Sequence, residues 1–346
     1  MVKNNLSLKE ALLYNRLQDN KVRCNICQRR CIIGNNDRGY CLTRLNREGK
    51  LFTLIYSQVA SWAISPIEKK PLYHFYPGSE WLSLGTLGCN FRCPGCQNWE
   101  IAHDEVEINQ KKTETITPEQ SIALAKSHDC QGISWTYNEP TVWFEYTLDG
   151  AKLAKQNNLL TNYVTNGFIT TEALDTIAPY LDAFRVDIKG FSKKTYETMC
   201  HISDFKGILE VTKRAKSKWG MWVEIVTNVT PGYNDDEAQL KDIATWIKKD
   251  LGEDTPWHIT RFIPHLDLSH VLATPVSSLE KAREIGLKQG LLYVYLGNVF
   301  GHPAEKTYCH QCKRLLIERK GLYITENKIE GGKCSFCGVK IPGRFE

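Results

Sequence analysis

The chain has 346 residues, 42% hydrophobic and 24% charged, normal for a soluble globular protein and long enough for one large α/β domain or two to three smaller ones. No apolar run approaches the ~20 residues that span a bilayer, so no membrane association is expected. Residues 1–5 lack the apolar core of a signal peptide, which makes the cytoplasm the expected compartment. The net charge of +5 is uneven. Residues 1–50 carry eleven Lys and Arg against four Asp and Glu, and residues 309–346 carry eight against four. Basic ends suit nucleic acid or another acidic partner. Cations offsetting thiolate-bound metal account for them more simply.

Thirteen cysteines are many for such a chain, and eleven fall into three clusters. Without a secretion signal, short spacings argue for metals over disulfides. Cys130 and Cys200 stand alone and read as small core residues. Ser7-Leu8-Lys9-Glu10 reads as a capping box opening a short amphipathic helix. Cys24, Cys27, Cys31 and Cys41 then supply four thiolates at C-x2-C-x3-C-x9-C spacing. Four sulfurs close a zinc site or ligate an auxiliary iron–sulfur cluster, and leave that choice open. Residues 51–80 read as a β-rich connector, in which 67–75 mixes charge with aromatics and suits a lid or a strand–loop edge.

Residues 84–99 carry Cys89, Cys93 and Cys96 at C-x3-C-x2-C spacing, with Gly88 and Pro94-Gly95 shaping a tight loop. Structural zinc sites are usually closed by four protein ligands, so three thiolates read better as an iron–sulfur cluster with one iron left open. From residue 81, strand-like runs at 81–87, 132–137, 159–164, 183–188, 222–229, 257–263 and 292–296 alternate with helix-like runs. The helices begin at Thr117-Pro118 and recur near 141–157, 170–181, 205–219, 235–251 and 277–290. Alternation of this kind predicts a parallel sheet, and six or seven β/α units suggest an open or full barrel with its site at the strand ends. Polar residues gather there: Asn138-Glu139 after the second strand, Thr165-Asn166 after the third, Asp187 and Lys189 after the fourth, and His258, Thr260 and Arg261 on the sixth. A Glu, an Asp-x-Lys pair and several amides on one rim suit a ligand with an α-amino acid head and a ribose.

In the tail, Cys309, Cys312, Cys334 and Cys337 give C-x2-C-x21-C-x2-C, with two short strands about a Gly321 turn between the pairs. This is the signature of a rubredoxin-like or zinc-ribbon module, for which zinc is favoured over iron.

The three loop cysteines resemble the cluster triad of the radical S-adenosylmethionine (radical SAM) superfamily. That resemblance implies a [4Fe–4S] cluster whose open iron binds S-adenosylmethionine, and reductive cleavage to a 5′-deoxyadenosyl radical that abstracts hydrogen from a substrate. Tyr137-Asn138-Glu139-Pro140, Thr165-Asn166-Gly167 and Asp187-x-Lys189 are similar to motifs of enzymes related to pyruvate formate-lyase activating enzyme. Together with Trp257-His258, which is similar to a later motif of those enzymes, they imply Glu139 near the methionyl amino group, Asn138, Thr165, Asn166, Asp187, Lys189 and His258 as cofactor contacts, and a partial (β/α)6 TIM barrel.

The whole chain resembles the radical SAM enzyme of the AmmeMemoRadiSam system. The shared segments are the Cys-rich head, Ile67-Glu68-Lys69-Lys70-Pro71, Cys96-Gln97-Asn98-Trp99, Tyr295-Leu296-Gly297-Asn298 and the tail ending Ile341-Pro342-Gly343. Memo-like and AMMECR-like proteins, and an electron donor such as flavodoxin or ferredoxin, are the partners it implies. The resulting division is 1–71 for a helix and four-cysteine metal-binding module, 72–300 for the radical SAM core, and 301–346 for the four-cysteine ribbon. Three departures stand out. Gly95 replaces the usual aromatic, with Phe91 or Trp99 as candidate substitutes. Val164 stands where activating enzymes have Asp, and the glycyl-radical activase lead-in is missing. Activation of a glycyl-radical enzyme is thus one alternative function, and a non-catalytic RNA- or protein-binding scaffold is another.

Overall fold

A computed structural model describes residues 8–103, 106 and 110–346. Eight strands form the central sheet: β1 (Ser61–Pro66), β2 (Glu80–Gly85), β3 (Gly132–Trp135), β4 (Leu160–Thr165), β5 (Ala183–Asp187), β6 (Trp222–Val229), β7 (Trp257–Arg261) and β8 (Val294–Gly297). They lie in chain order across the sheet, β2 to β8 all parallel, with β1 antiparallel to β2 at one edge. No pair joins β1 to β8 among the described residues, so the sheet is open at both edges. All seven parallel strands are those the alternation predicts. They are buried nearly throughout, as strands covered on both faces must be.

The helices that cover the sheet are α1 (Pro118–Ser127), α2 (Phe144–Gln156), α3 (Thr171–Ile177), α4 (Lys193–Cys200), α5 (Lys206–Ser217), α6 (Glu237–Trp246) and α7 (Val276–Lys288). Thr117 caps α1 through a full capping box with Gln120, as its sequence predicts. Helix α4 has no counterpart among the predicted elements. Ser192 opens it by accepting from Thr195 N at 3.1 Å, and His201 closes it in the left-handed region at φ 54°.

Two expectations about the head are corrected. Lys9–Glu10 is a short strand paired with Lys50–Thr53, not the start of a helix, and Ser7 lies outside the described residues. Cross-strand pairing outweighs a local capping signal there. The 67–75 segment is no lid: Ile67, Leu72 and Phe75 are buried with Trp81, and Glu68, Lys70 and His74 are buried with them. The head carries two small three-stranded sheets. The tail carries a three-stranded sheet and a hairpin, with Leu315–Lys320 and Tyr323–Asn327 meeting at Gly321.

The tail docks on the N-terminal ends of the strands through a buried polar chain. His74 Nδ1 lies 2.6 Å from the Pro342 carbonyl, so it must be the protonated nitrogen. Nε2 then accepts from the Tyr295 hydroxyl, also at 2.6 Å. Arg319 donates to Thr307 Oγ1 at 2.8 Å and to the Tyr73 carbonyl at 3.0 Å.

Candidate functional site: a cysteine-lined cavity at the strand ends

A cavity of about 520 Å³ opens at the C-terminal ends of the parallel strands. That volume lies within the range of small-molecule sites. The loop after β2 gives it Cys89, Cys93 and Cys96, and the loops after β3, β4 and β5 give it Asn138 with Glu139, Thr165 with Asn166, and Asp187 with Lys189. Nine of the ten candidate residues for cluster and cofactor therefore meet in one place.

His258 does not join them. It sits near the N-terminal end of β7, buried, with Nε2 2.6 Å from Glu224 Oε2. Glu224 also accepts from Tyr73 N at 3.0 Å, His74 N at 2.8 Å and Trp222 Nε1 at 2.8 Å. Burial pushes the His258 imidazole down despite Glu224. Its ring pairs with Glu224 near the N-terminal ends of β6 and β7. It lies on the expected strand but is not among the residues that line the cavity.

The cysteine loop is fixed by its neighbours. Gly88 has φ +82°, and a Cβ there would meet Thr43 Cγ2 at 2.3 Å and the Cys41 carbonyl at 2.7 Å, so only glycine fits where the loop touches the head. Arg92 donates to the Cys89 and Phe91 carbonyls at 2.8 and 2.9 Å and to the Tyr40 carbonyl at 2.9 Å. Arg29 stacks on Tyr40 at 3.5 Å and donates to the Asn90 carbonyl at 2.7 Å. Burial raises the Cys89 thiol well above its usual pKa and moves Cys96 up to about 11. Cys93 is lowered instead, through contact with Cys200 at the end of α4. Cys200, expected as a plain core residue, is buried and also touches the cluster loop.

Glu139 is anchored by four donors. Oε1 accepts from Thr141 N at 3.0 Å, Thr141 Oγ1 at 2.5 Å and Thr165 Oγ1 at 2.7 Å, while Oε2 accepts from Asn166 N at 2.8 Å. A carboxylate offers about four lone-pair sites, so one on Oε2 remains for a ligand. Burial raises its pKa against these bonds. Asp187 accepts from Lys189 Nζ at 2.8 Å and pairs with Arg185. Despite burial, those two cations hold its carboxyl below the usual range.

Beside Gly95 stands an aromatic that the sequence did not suggest. A Cβ at Gly95 would lie 3.0 Å from Leu268 and 3.2 Å from Phe262, and Phe262 lines the cavity. Phe91 also lines the cavity, 1% exposed and packed on Phe168, while Trp99 is 37% exposed and is not among the lining residues. Phe262 follows β7, far in sequence from the position it serves.

In the tail, Cys309 and Cys337 sulfurs are 3.7 Å apart and Cys312 and Cys334 sulfurs 3.8 Å, with all four within 4.8 Å of one another. Tetrahedral thiolates at ~2.3 Å from one ion lie about 3.8 Å apart, so the group is spaced for a single metal. Lys313 and Gly338 take left-handed conformations one residue after each C-x2-C pair. The thiols of the triad and of Cys24, Cys27, Cys31 and Cys41 are not brought to that spacing. The head cysteines do share one environment, with burial raising Cys24 to about 11 and Cys27 higher. Arg44, paired with Glu145 at 2.7 Å, lies beside Cys24 and Cys41.

Residues 84–244 match the model of the Radical SAM superfamily. The chain is 43% identical over 342 residues to an uncharacterised protein of Methanocaldococcus jannaschii, covering 96% of this chain and 99% of that one. The chain belongs to the family of that archaeal protein, and its residues 84–244 form a radical SAM domain. A second protein of the same archaeon, named as a putative glycyl-radical enzyme activating enzyme, is 24% identical over 226 residues, 64% of this chain and 80% of its own. Among solved structures, a radical SAM methyltransferase from Sphaerobacter thermophilus matches with a TM-score of 0.50 at 14% identity, over 70% of this chain and 71% of that one. SuiB of Streptococcus suis bound to S-adenosylmethionine also gives 0.50, at 12% identity over 70% of this chain and 56% of that one. These two likenesses concern the fold. Among the described residues, no helix is long and apolar enough to cross a membrane.

Proposed function

We propose that the chain is a radical SAM enzyme that binds a [4Fe–4S] cluster through Cys89, Cys93 and Cys96 and cleaves S-adenosylmethionine reductively. The observation that carries this is the shared cavity, which three thiols line together with a carboxylate and a Lys–Asp–Arg group. The donor set fits. Soft thiolates suit iron–sulfur, and a cluster whose ligands sit on separate irons does not need single-ion sulfur spacing. When bound, the cluster supplies the electron that splits the sulfonium C–S bond, giving a 5′-deoxyadenosyl radical for hydrogen abstraction from a substrate still to be identified.

The chain's own part is to bind and orient. Glu139 Oε2 keeps one acceptor site for the methionyl ammonium, and Lys189 offers a cation to the carboxylate. Thr165, Asn166 and Asn138 hold Glu139 and the loop, and Phe262 provides the apolar face for adenine that Gly95 leaves room for. The sheet is read as a partial barrel, with modules at 1–71, 72–300 and 301–346. Zinc is assigned to the tail cysteines, and zinc or an auxiliary cluster to the head.

The AmmeMemoRadiSam assignment rests on the shared sequence segments. It brings Memo-like and AMMECR-like partners, a flavodoxin or ferredoxin donor and a cytoplasmic site of action. A second reading, activation of a glycyl-radical enzyme, is supported by the name of the 24%-identical relative. The test is anaerobic reconstitution with iron and sulfide counts and electron paramagnetic resonance with and without S-adenosylmethionine. About four irons absent from Cys93→Ala, and a spectrum changed by S-adenosylmethionine, are expected. A silent, iron-free protein would sink the reading.

A further inference from the structure

One buried amine in the cavity wall is not used by the cofactor reading. Lys70 is 2% exposed, lines the same cavity, and has no ion pair among the described residues. Its Nζ contacts only neutral groups: the Ser65 carbonyl at 2.8 Å, Ser65 Oγ at 2.8 Å and the Pro66 carbonyl at 3.3 Å. Ser65 Oγ is in turn 3.3 Å from Ser83 Oγ, and Ser83 lines the cavity. The Lys70 carbonyl accepts from Arg185 Nε at 3.2 Å, so the residue is pinned at both ends.

We propose that Lys70, Ser65 and Ser83 form a proton relay that takes a proton from a hydroxyl or amino group of the substrate bound in this cavity. It rests on the reading of that cavity as the substrate site.

The hydrogen-bond inventory permits it. A neutral amine donates two N–H groups to the Ser65 and Pro66 carbonyls and keeps its lone pair for the Ser65 O–H. Ser65 Oγ then accepts from Ser83, and Ser83 accepts from the substrate. In the transfer, the substrate O–H or N–H bond breaks toward Ser83 Oγ as the two serine protons each shift one place. A new N–H bond forms on Lys70, which becomes an ammonium. No electron moves, and the proton returns by the same path.

Burial lowers the Lys70 pKa to about 7, so the amine is poised near neutrality. Glu80, Cys130 and Glu68 oppose that shift and Lys69 adds to it, while Glu68 is itself held by Arg319 at 3.6 Å and by the Gly78 N–H. Burial likewise raises the Tyr137 phenol, against contacts with the Ser61 and Ser83 hydroxyls, and Tyr137 and Ser83 both line the cavity. A substrate with a polar hydrogen next to its reacting carbon is the class this relay fits, because deprotonating such a carbon radical changes its reactivity.

The test uses the reconstituted full chain, its lysines isotope-labelled at Cε and Nζ, titrated by nuclear magnetic resonance. Lys70→Met assigns the Lys70 signal, and Lys70→Arg does so if Met does not fold. A midpoint near 7 is expected; a signal still protonated above pH 9 would show a structural ammonium and overturn the proposal. The lifetime of the Nζ protons against solvent exchange tests the path. It should lengthen several-fold in Ser83→Ala and return to the wild-type value in Ser83→Thr. An unchanged lifetime in Ser83→Ala overturns the relay. Neither readout involves S-adenosylmethionine cleavage, so failure of the cofactor reading would be seen separately, in the iron counts.

Discussion

The side-chain amide of Asn138 donates to the Gly88 carbonyl at 2.6 Å and ties the end of β3 to the loop that carries the three cysteines. Its Oδ1 accepts from Thr86 N at 3.1 Å, so one residue holds the loop at both the strand exit and the turn. The sequence reading made Asn138 a cofactor contact, and the geometry makes it first a support of the cluster loop. Asn138→Ala leaves two backbone groups unpartnered, at about 1–3 kcal/mol for each one left buried without water. Iron content after reconstitution should fall while the far-ultraviolet circular dichroism stays native. Full iron loading in Asn138→Ala would refute the bracing role.

Phe262 stands over Gly95, where the cavity wall lacks a side chain. Removing its ring should weaken S-adenosylmethionine binding about tenfold, the upper end of what one aromatic contact supplies. Equilibrium dialysis of Phe262→Ala and Phe262→Tyr checks this. The Tyr variant keeps the stacking face and should bind as wild type does.

His258 and His74 make acid stability a test of the underside. Burial lowers both imidazoles, His74 to about 4, so the folded protein keeps them neutral where the unfolded chain protonates them. The unfolded state then binds more protons below about pH 6.5, and stability falls as pH drops toward 4. Denaturant midpoints measured from pH 7.5 to 4.5 should show that loss, and it should be smaller in His258→Phe. That variant costs about 1–3 kcal/mol by taking one of four partners from Glu224. It should leave S-adenosylmethionine affinity intact, since His258 lies outside the cavity. A large loss of affinity would restore the sequence-based role.

Lys70 acts in the opposite pH range. Its folded pKa is lowered, so between about 7 and the normal lysine range the unfolded chain holds the extra proton and stability rises with pH. Lys70→Met should flatten that rise. A slope unaltered by the substitution would contradict a neutral buried amine.

The tail cysteines are spaced for one metal ion, and the Cys309 sulfur also accepts from Cys312 N across its turn. Cys309→Ser should lose one metal equivalent, read by elemental analysis, while the triad's iron remains. Because the tail docks through His74, Tyr295, Thr307 and Arg319, its thermal midpoint should fall with the metal. Elemental analysis also decides zinc against iron.

The parallel strands were legible because each is a short apolar run followed by a polar strand end. The triad and the tail ribbon were legible because metal ligands must recur at short spacings. What escaped depends on long-range contact. Phe262 reaches Gly95 across more than 160 positions, a pairing no local pattern marks. His258 precedes Thr260 on the same strand face, so chain direction puts it nearer the N-terminal end, and the motif resemblance had made it a site residue. Lys9–Glu10 follows its partner strand against a local helix signal, and α4, two turns long, is too short for a firm apolar period.

The most direct measurement is 5′-deoxyadenosine release by reduced, anaerobically reconstituted protein, beside Cys93→Ala with its fold verified. Release by the wild-type chain, increased by a small-molecule, RNA or protein fraction of a cell extract and absent from Cys93→Ala, is the predicted result. No release from a fully loaded cluster with any fraction would contradict the radical reading and favour a non-catalytic scaffold.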